Sequence, residues 1–252
     1  MATATQVSKQ NIPYVHVDHA TLYHGSATGG IKVLLKALDS TVGQGTYFTS
    51  ERDKAEYYAL IRSDRGQALE YDKDAAKDLR QHIVLHNGKR IPVVYEVEVE
   101  NMDFVDIRDD VNNEKLKKVA KGFREYLVNE LEKEKKSGKL TWWWEGTVKA
   151  AIGTIDILEG TDSEYRQFSK FGRGRVKTEI ITPKDVLHGV GNLFSNYLKG
   201  LSFDGILAIE GGEGQGNHDS YVIFDSDKIK IVETVKITKT VIHSEPLEKP
   251  GK

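Results

Sequence analysis

Hydrophobic and polar positions change their period several times along the chain. Residues 20–26, ATLYHGS, read as a short strand ending at a small-residue turn. IKVLLKALDS follows with apolar residues at helical spacing. GQGTYFTS is a glycine turn entering a β-prone run. ERDKAEYYALIRSDRG predicts a helix, with Ser50 as N-cap and Asp53 in its first turn. Residues 67–90 are polar and helical in part, and IPVVYEVEVE alternates apolar with acidic residues as a half-buried strand does. Ahead of all this, residues 1 to about 18 read as a poorly ordered lead-in, and HSEPLEKPGK reads as a frayed tail.

The middle of the chain, about 108–180, has a different pattern. EKLKKVAKGFREYLVNELEKEKKSGK is a long, charged, amphipathic helix ending near Gly138. WWWEGTVKAAIGTIDILEG reads as a second helix and carries all three tryptophans, which cannot all face one way. SEYRQFSKFGRGRVKTE is basic, with aromatics interleaved. Beyond it the β character returns: LSFDGILAIEGG is a buried strand, EGQGNH a glycine-rich loop, and SYVIFDSDKIKIVE a strand, a turn and a strand. The expected fold class is α+β. Each end alone has too few strands to close a core, so both ends should share one. The expectation is a single domain over 1–252, with its core in about 21–104 and 181–240 and a mainly helical insertion over about 108–180.

Charge and composition narrow the function classes. Lys plus Arg number 36 against 38 Asp plus Glu, a balance that argues against a dedicated polyanion binder while leaving room for a local basic patch. Cysteine is absent, which excludes disulfides, thiolate catalysis and cysteine-ligated metals within this chain. No apolar run approaches the ~20 residues that span a bilayer, and the N-terminus lacks the apolar segment of a secretory signal. These features predict a cytoplasmic protein without a membrane partner.

Two motifs carry candidate chemistry. In Tyr23-His24-Gly25-Ser26 a histidine at a strand end precedes a glycine, which lets a ligand approach the backbone. In Gly43-Gln44-Gly45-Thr46-Tyr47-Phe48-Thr49 two glycines precede a tyrosine that opens a strand. Tyr58 follows Tyr47 by 11 positions, on the next helix beside Tyr57. A strand end and the first turns of the following helix can present two rings to one cleft, a slot for a flat heterocycle. One of Tyr57 and Tyr58 should instead pack in the core.

YHGS, then GQGTYFTS, then KAEYYA resembles the ADP-ribosyltransferase fold, in its diphtheria-toxin and poly-ADP-ribose-polymerase branch with a His–Tyr–Glu signature. SYVIFDSDKIKIVE resembles that family's last core strands, and IPVVYEVEVE would be a central strand. The similarity covers about 21–104 and 200–235 and omits the middle stretch. It implies a split β-sheet core and NAD as co-substrate, with no metal. The family cleaves the nicotinamide–ribose bond through an oxocarbenium-like transition state and passes ADP-ribose to an acceptor. By this resemblance the Gly25 backbone pairs with the nicotinamide carboxamide. Tyr58, or Tyr57, stacks on the ring, with Tyr47 on its other side, and Phe48 is a further cofactor-binding candidate. His24 holds the adenosine ribose, assisted by Ser26.

The third motif departs from the family. Its glutamate register falls on Ser220, between Asp219 and Tyr221. A serine cannot supply a negative charge. Either the loop residue Glu213, which is preferred, or Asp219 or Glu210 reaches the site instead, or transfer proceeds without a carboxylate.

Other signals are weaker. GGEGQG lacks the G-K-[ST] of a phosphate loop, no G-x-S-x-G elbow is present, and His16 with His19 lacks a third metal ligand in a sensible pattern. Arg166, Lys170, Arg173, Arg175 and Lys177 alternate with Tyr165, Phe168 and Phe171, a pattern suited to nucleic acid or to a loop with solvated cations. The expected activity is mono-ADP-ribosylation of a macromolecular acceptor, RNA, DNA or protein. The enzyme would be a toxin or antiviral defence effector of bacterial or phage type, with a neutralising antitoxin as a possible partner. The alternatives are an NAD glycohydrolase and a non-catalytic module that binds NAD or ADP-ribose.

Overall fold

The computed structural model describes residues 9–26, 34, 42–61, 92–108, 114–160, 183–211 and 217–237. Its elements, in chain order, are β1 (Tyr14–Ser26), β2 (Thr46–Thr49), α1 (Arg52–Ile61), β3 (Val93–Asp106), α2 (Glu114–Ser137), α3 (Trp142–Glu159), α4 (Pro183–Leu187), α5 (Gly191–Gly200), β4 (Gly205–Glu210), β5 (His218–Ile223) and β6 (Lys230–Lys236). The fold class is α+β. No helix among the described residues is long and apolar enough to cross a membrane.

All six strands form one sheet around β3. Along one edge β3 pairs antiparallel with β1, from Tyr14↔Val105 to Ser26↔Val93. Its other edge is divided: β6 takes Val93–Glu98, and β4, running parallel, takes Phe104–Asp106. β5 pairs with β4, and β2 with β5. β2 then meets β1 at Tyr23↔Thr49. Strands β1, β2, β5, β4 and β3 thus close a ring, with β6 outside it.

Two cores follow from the alternation of side chains across the strands. The inner core takes Leu22, Phe48, Tyr95, Val97, Phe104, Leu207 and Ile223. Within β3 its members are Val93, Tyr95, Val97 and Val99, then Met102 and Phe104, so the alternation slips by one position. Asn101, at φ 51°, makes that slip; asparagine tolerates the left-handed region better than most residues. The outer core lies between the opposite face, represented by Val105, Ile206, Ala208 and Val222, and helices α2–α5. Phe123 of α2 meets Phe194 of α5 edge-on at 4.9 Å between ring centroids.

Three expectations need correction. Residues 14–18 are not a lead-in but the first part of β1, because the YVHVD alternation finds a partner in 102–105 of β3. Residues 183–187 and 191–200 are helical, within an end of the chain whose expected character was β-rich. In α5 the residues Leu193, Phe194, Tyr197 and Leu198 form one buried stripe. Ser50 is not the N-cap: helix α1 begins at Arg52, its first bonds run to the Glu51 carbonyl, and the Thr49 hydroxyl accepts from the Glu51 N–H at 3.1 Å. The expected helices over 31–40 and 67–90 and the basic stretch over 164–178 lie outside the described residues, apart from Leu34.

Candidate functional site

The site is built from three chain segments that the sheet places side by side. Thr49 of β2 pairs with Tyr23 of β1 on one edge and with Ser220 of β5 on the other. Ser220 in turn pairs with Ala208 of β4. Register pairs share a face, so Tyr23, Thr49, Ser220 and Ala208 form a row across four strands. Thr49 and Ser220 are buried hydroxyls within that row.

Helix α1 is seated on this face by a glycine. A Cβ on Gly25 would lie 1.9 Å from the Ala55 carbonyl oxygen and 2.7 Å from the Ala59 nitrogen, so only glycine admits the helix. The small, buried Ala55 and Ala59 complete the contact. This close seating brings Tyr58 onto β5. Its hydroxyl is 3.4 Å from His218 Nε2, with ring centroids 5.6 Å apart. Tyr57 stands edge-on to Tyr58 at 6.2 Å. His218 is buried and shares a face with Ser220, two residues on.

Tyr47 also lies on the outer face. Its ring packs against the helical core. Its hydroxyl donates to the Gly43 carbonyl at 3.0 Å and accepts from the Val42 N–H at 3.2 Å. The GQG turn is held further by α5: Ser195 Oγ accepts from the Gln44 N–H at 2.8 Å. Gly43, at φ 132°, takes a conformation that suits glycine. Along the strand direction the Thr49–Ser220 pair stands between Tyr47 and the Tyr58–His218 contact.

His24 projects to the opposite, inner face, between Phe48 at 5.7 Å and Tyr95 at 6.4 Å. Its Nδ1 lies 2.7 Å from the Tyr47 carbonyl. A carbonyl can only accept, so Nδ1 carries the proton, and in the neutral ring Nε2 is the acceptor. The bond ties the first motif to the second. Ser26, half-buried, ends β1 opposite Val93.

The candidate carboxylates separate clearly. Asp219 points to the face opposite Ser220, where Arg108 Nη1 holds it at 2.7 Å. Arg108 also grips the buried Asp106, as does Lys115. Burial would raise the Asp106 carboxyl, but hydrogen bonds from Arg108 and Lys115 outweigh it and hold it below the usual carboxylate range. Burial raises the neighbouring Tyr221 hydroxyl, with a further push from Asp219. Glu210, half-buried, pairs directly with His218 and so lies on the Ser220 face. Glu213 and the cationic residues Arg166, Lys170, Arg173, Arg175 and Lys177 lie outside the described residues.

No family model, curated protein or solved structure matches the chain.

Sequence reasoning passed over His218. Its place two residues before Ser220 was a readable signal, since strand alternation puts both on one face. The EGQGNH pattern assigns it to the glycine-rich loop instead. Among the described residues, one group could hold a metal ion: His19, Glu98 and Glu100, whose ligand atoms lie within 4.8 Å of one another. Lys230 already neutralises Glu98 at 3.0 Å, and these residues lie well along β1 and β3 from the row at Thr49.

Proposed function

We propose that this chain is a mono-ADP-ribosyltransferase that cleaves NAD and transfers ADP-ribose to a macromolecular acceptor. The observation that carries the reading is the row through Tyr23, Thr49 and Ser220. It brings three motifs from distant parts of the chain into adjacent register, with Tyr58 over the same face. In this reading nicotinamide lies between Tyr58 and Tyr47, and the Gly25 backbone binds its carboxamide. His24, on the opposite face, acts as a positioning residue that fixes the Tyr47 backbone through its Nδ1 bond. Positive charge developing on the ribose needs a nearby anion. Glu210 suits that role better than Asp219, because it shares the Ser220 face and Asp219 is held by Arg108 on the other. A toxin or defence role, with a neutralising partner, belongs to the same proposal.

One observation favours a second reading. The register neighbours of Ser220 are Thr49 and Ala208, neither of them a carboxylate that could steer a bulky acceptor. Water would then be the acceptor, and the enzyme an NAD glycohydrolase.

The deciding experiment incubates the purified chain with labelled NAD and a cell lysate, then divides the product between protease and nuclease. Macromolecular label supports transfer, and its sensitivity names the acceptor class. Free ADP-ribose alone supports the glycohydrolase, and unchanged NAD overturns both. Tyr47→Ala, and His24→Ala through the misplacement of Tyr47, should each lower turnover by about a hundredfold.

A further inference from the structure

Helices α2 and α3 form a hairpin whose far end extends beyond the core. Leu131 and Trp144 are partly buried against the outer core. From Leu131, α2 continues through Ser137, about 9 Å of helix. A turn containing Gly138, at φ 70°, then leads to Thr141, which caps α3 by accepting from the Trp144 N–H. Trp142 is 84% exposed and Trp143 62% exposed. Exposure of two adjacent tryptophans is rarely neutral for a protein that stays dispersed in water.

The charge at this end matches the aromatic pair. Residues 135–143, KKSGKLTWW, hold three lysines and no acid, in a chain whose net charge is -2. Lys135, Lys136 and Lys139 are all exposed. The first acid beyond the turn, Glu145, is engaged by Lys149 at 2.6 Å. Lys149 holds the Glu145 carboxyl below its usual range, with a smaller pull from Lys135, so the end of α2 stands beside the start of α3. Beyond Glu132 and Glu134 of α2, the hairpin therefore ends in an exposed, cationic and aromatic tip.

The shape decides between two anionic occupants. A single nucleic-acid strand needs rings aligned to stack on successive bases along a basic groove. Trp142 and Trp143 are consecutive helical residues, splayed by about 100°. Lys135 and Lys136 are splayed in the same way, and the tip protrudes. A flat bilayer surface accepts splayed rings at one depth, since tryptophan suits the headgroup level. It also presents charge to lysines that point in several directions. Peripheral seating of this kind requires no spanning helix.

We propose that the α2–α3 tip docks on an anionic membrane surface, with Trp142 and Trp143 at the headgroup level and Lys135, Lys136 and Lys139 against acidic lipid. The proposal is independent of the transferase reading, because the tip takes no part in the NAD site.

The test sediments the full chain with phosphatidylcholine vesicles, with and without phosphatidylserine, at low salt. Each lysine near an acidic leaflet strengthens partitioning roughly fivefold, so phosphatidylserine should improve binding by about a hundredfold. Lys135→Gln/Lys136→Gln/Lys139→Gln should remove that gain, and Trp142→Ser/Trp143→Ser should reduce binding to both vesicle types. Both variants replace exposed side chains and should melt with the parent. Tryptophan emission should shift to the blue on docking and be quenched by brominated acyl chains, a response lost in Trp142→Ser/Trp143→Ser, where only Trp144 remains. Sedimentation indifferent to phosphatidylserine, or equal binding by parent and variants, overturns the proposal. So does emission that responds to a single-stranded oligonucleotide and not to vesicles, which would make the tip a nucleic-acid contact.

Discussion

Gly25 and Glu210 show how single residues set the candidate site. A methyl group at Gly25 would sit inside the Ala55 carbonyl, where no side-chain rotation relieves it. Gly25→Ala should therefore cost about 3 kcal/mol, the upper part of the range for overpacking. Lifting α1 would also move Tyr58 away from His218. A circular-dichroism melt and an NAD turnover assay on the same sample check both effects, and an unchanged melt would show that α1 is not seated as described. Glu210→Gln should lower NAD turnover by about tenfold or more if its charge faces the developing cation. Asp219→Asn should leave turnover within a factor of about three, since Asp219 serves a partly exposed ion pair of modest worth. The reverse ranking in a turnover assay would assign the charge to Asp219.

At the scale of elements, the helices hold the site through the sheet. Ser195 of α5 bonds the Gln44 backbone, and Tyr47 packs on the core that α5 shares with α2. The Phe123–Phe194 contact joins those two helices. Phe123→Ala should cost roughly 3–5 kcal/mol as a buried aromatic deletion. The loss should appear in chemical denaturation as a lower midpoint with an unchanged slope. Thr141→Ala removes only a cap and should cost about 1 kcal/mol, leaving the sheet intact. The helical stretches 114–137 and 142–159 were legible in advance because their apolar spacing runs over several turns. α5 was missed because ten residues with glycine at both ends show little pattern until the core that buries their stripe is known.

For the whole molecule, charge pairing links stability to pH. The Asp106 carboxyl lies below its unfolded value, so its contribution is complete above that value and is lost as pH falls through the folded one. Asp103 behaves alike: burial would raise it, but hydrogen bonds from Lys9 and His16 outweigh burial and lower it. His16 is raised by its hydrogen bond to Asp103, so its contribution is present at low pH and lost as pH rises through the folded value. The melting temperature should fall below about pH 4 as these carboxyls protonate. Asp106→Asn should flatten that limb and cost roughly 2 kcal/mol at neutral pH, the worth of hydrogen bonds to a charged group. Melts recorded across the acid range test this, and an unflattened limb would assign the acid loss to other carboxyls.

Local pattern alone determined the β-rich ends, the two long helices and the order of the Tyr23–Ser26, Gly43–Thr49 and Asp219–Ile223 motifs, because periodicity and turn residues act over a few positions. The tertiary structure decided what those motifs face. Strand alternation turned His24 to the inner face and Tyr47 to the outer, gave Asp219 to Arg108, and placed His218 and Glu210 beside Ser220. It also made β1 longer than its pattern suggested, since polar His16 and Asp18 belong to a strand only when β3 lies alongside. Pairing between strands from opposite ends of the chain depends on how the ring of strands closes, and no local spacing encodes that closure.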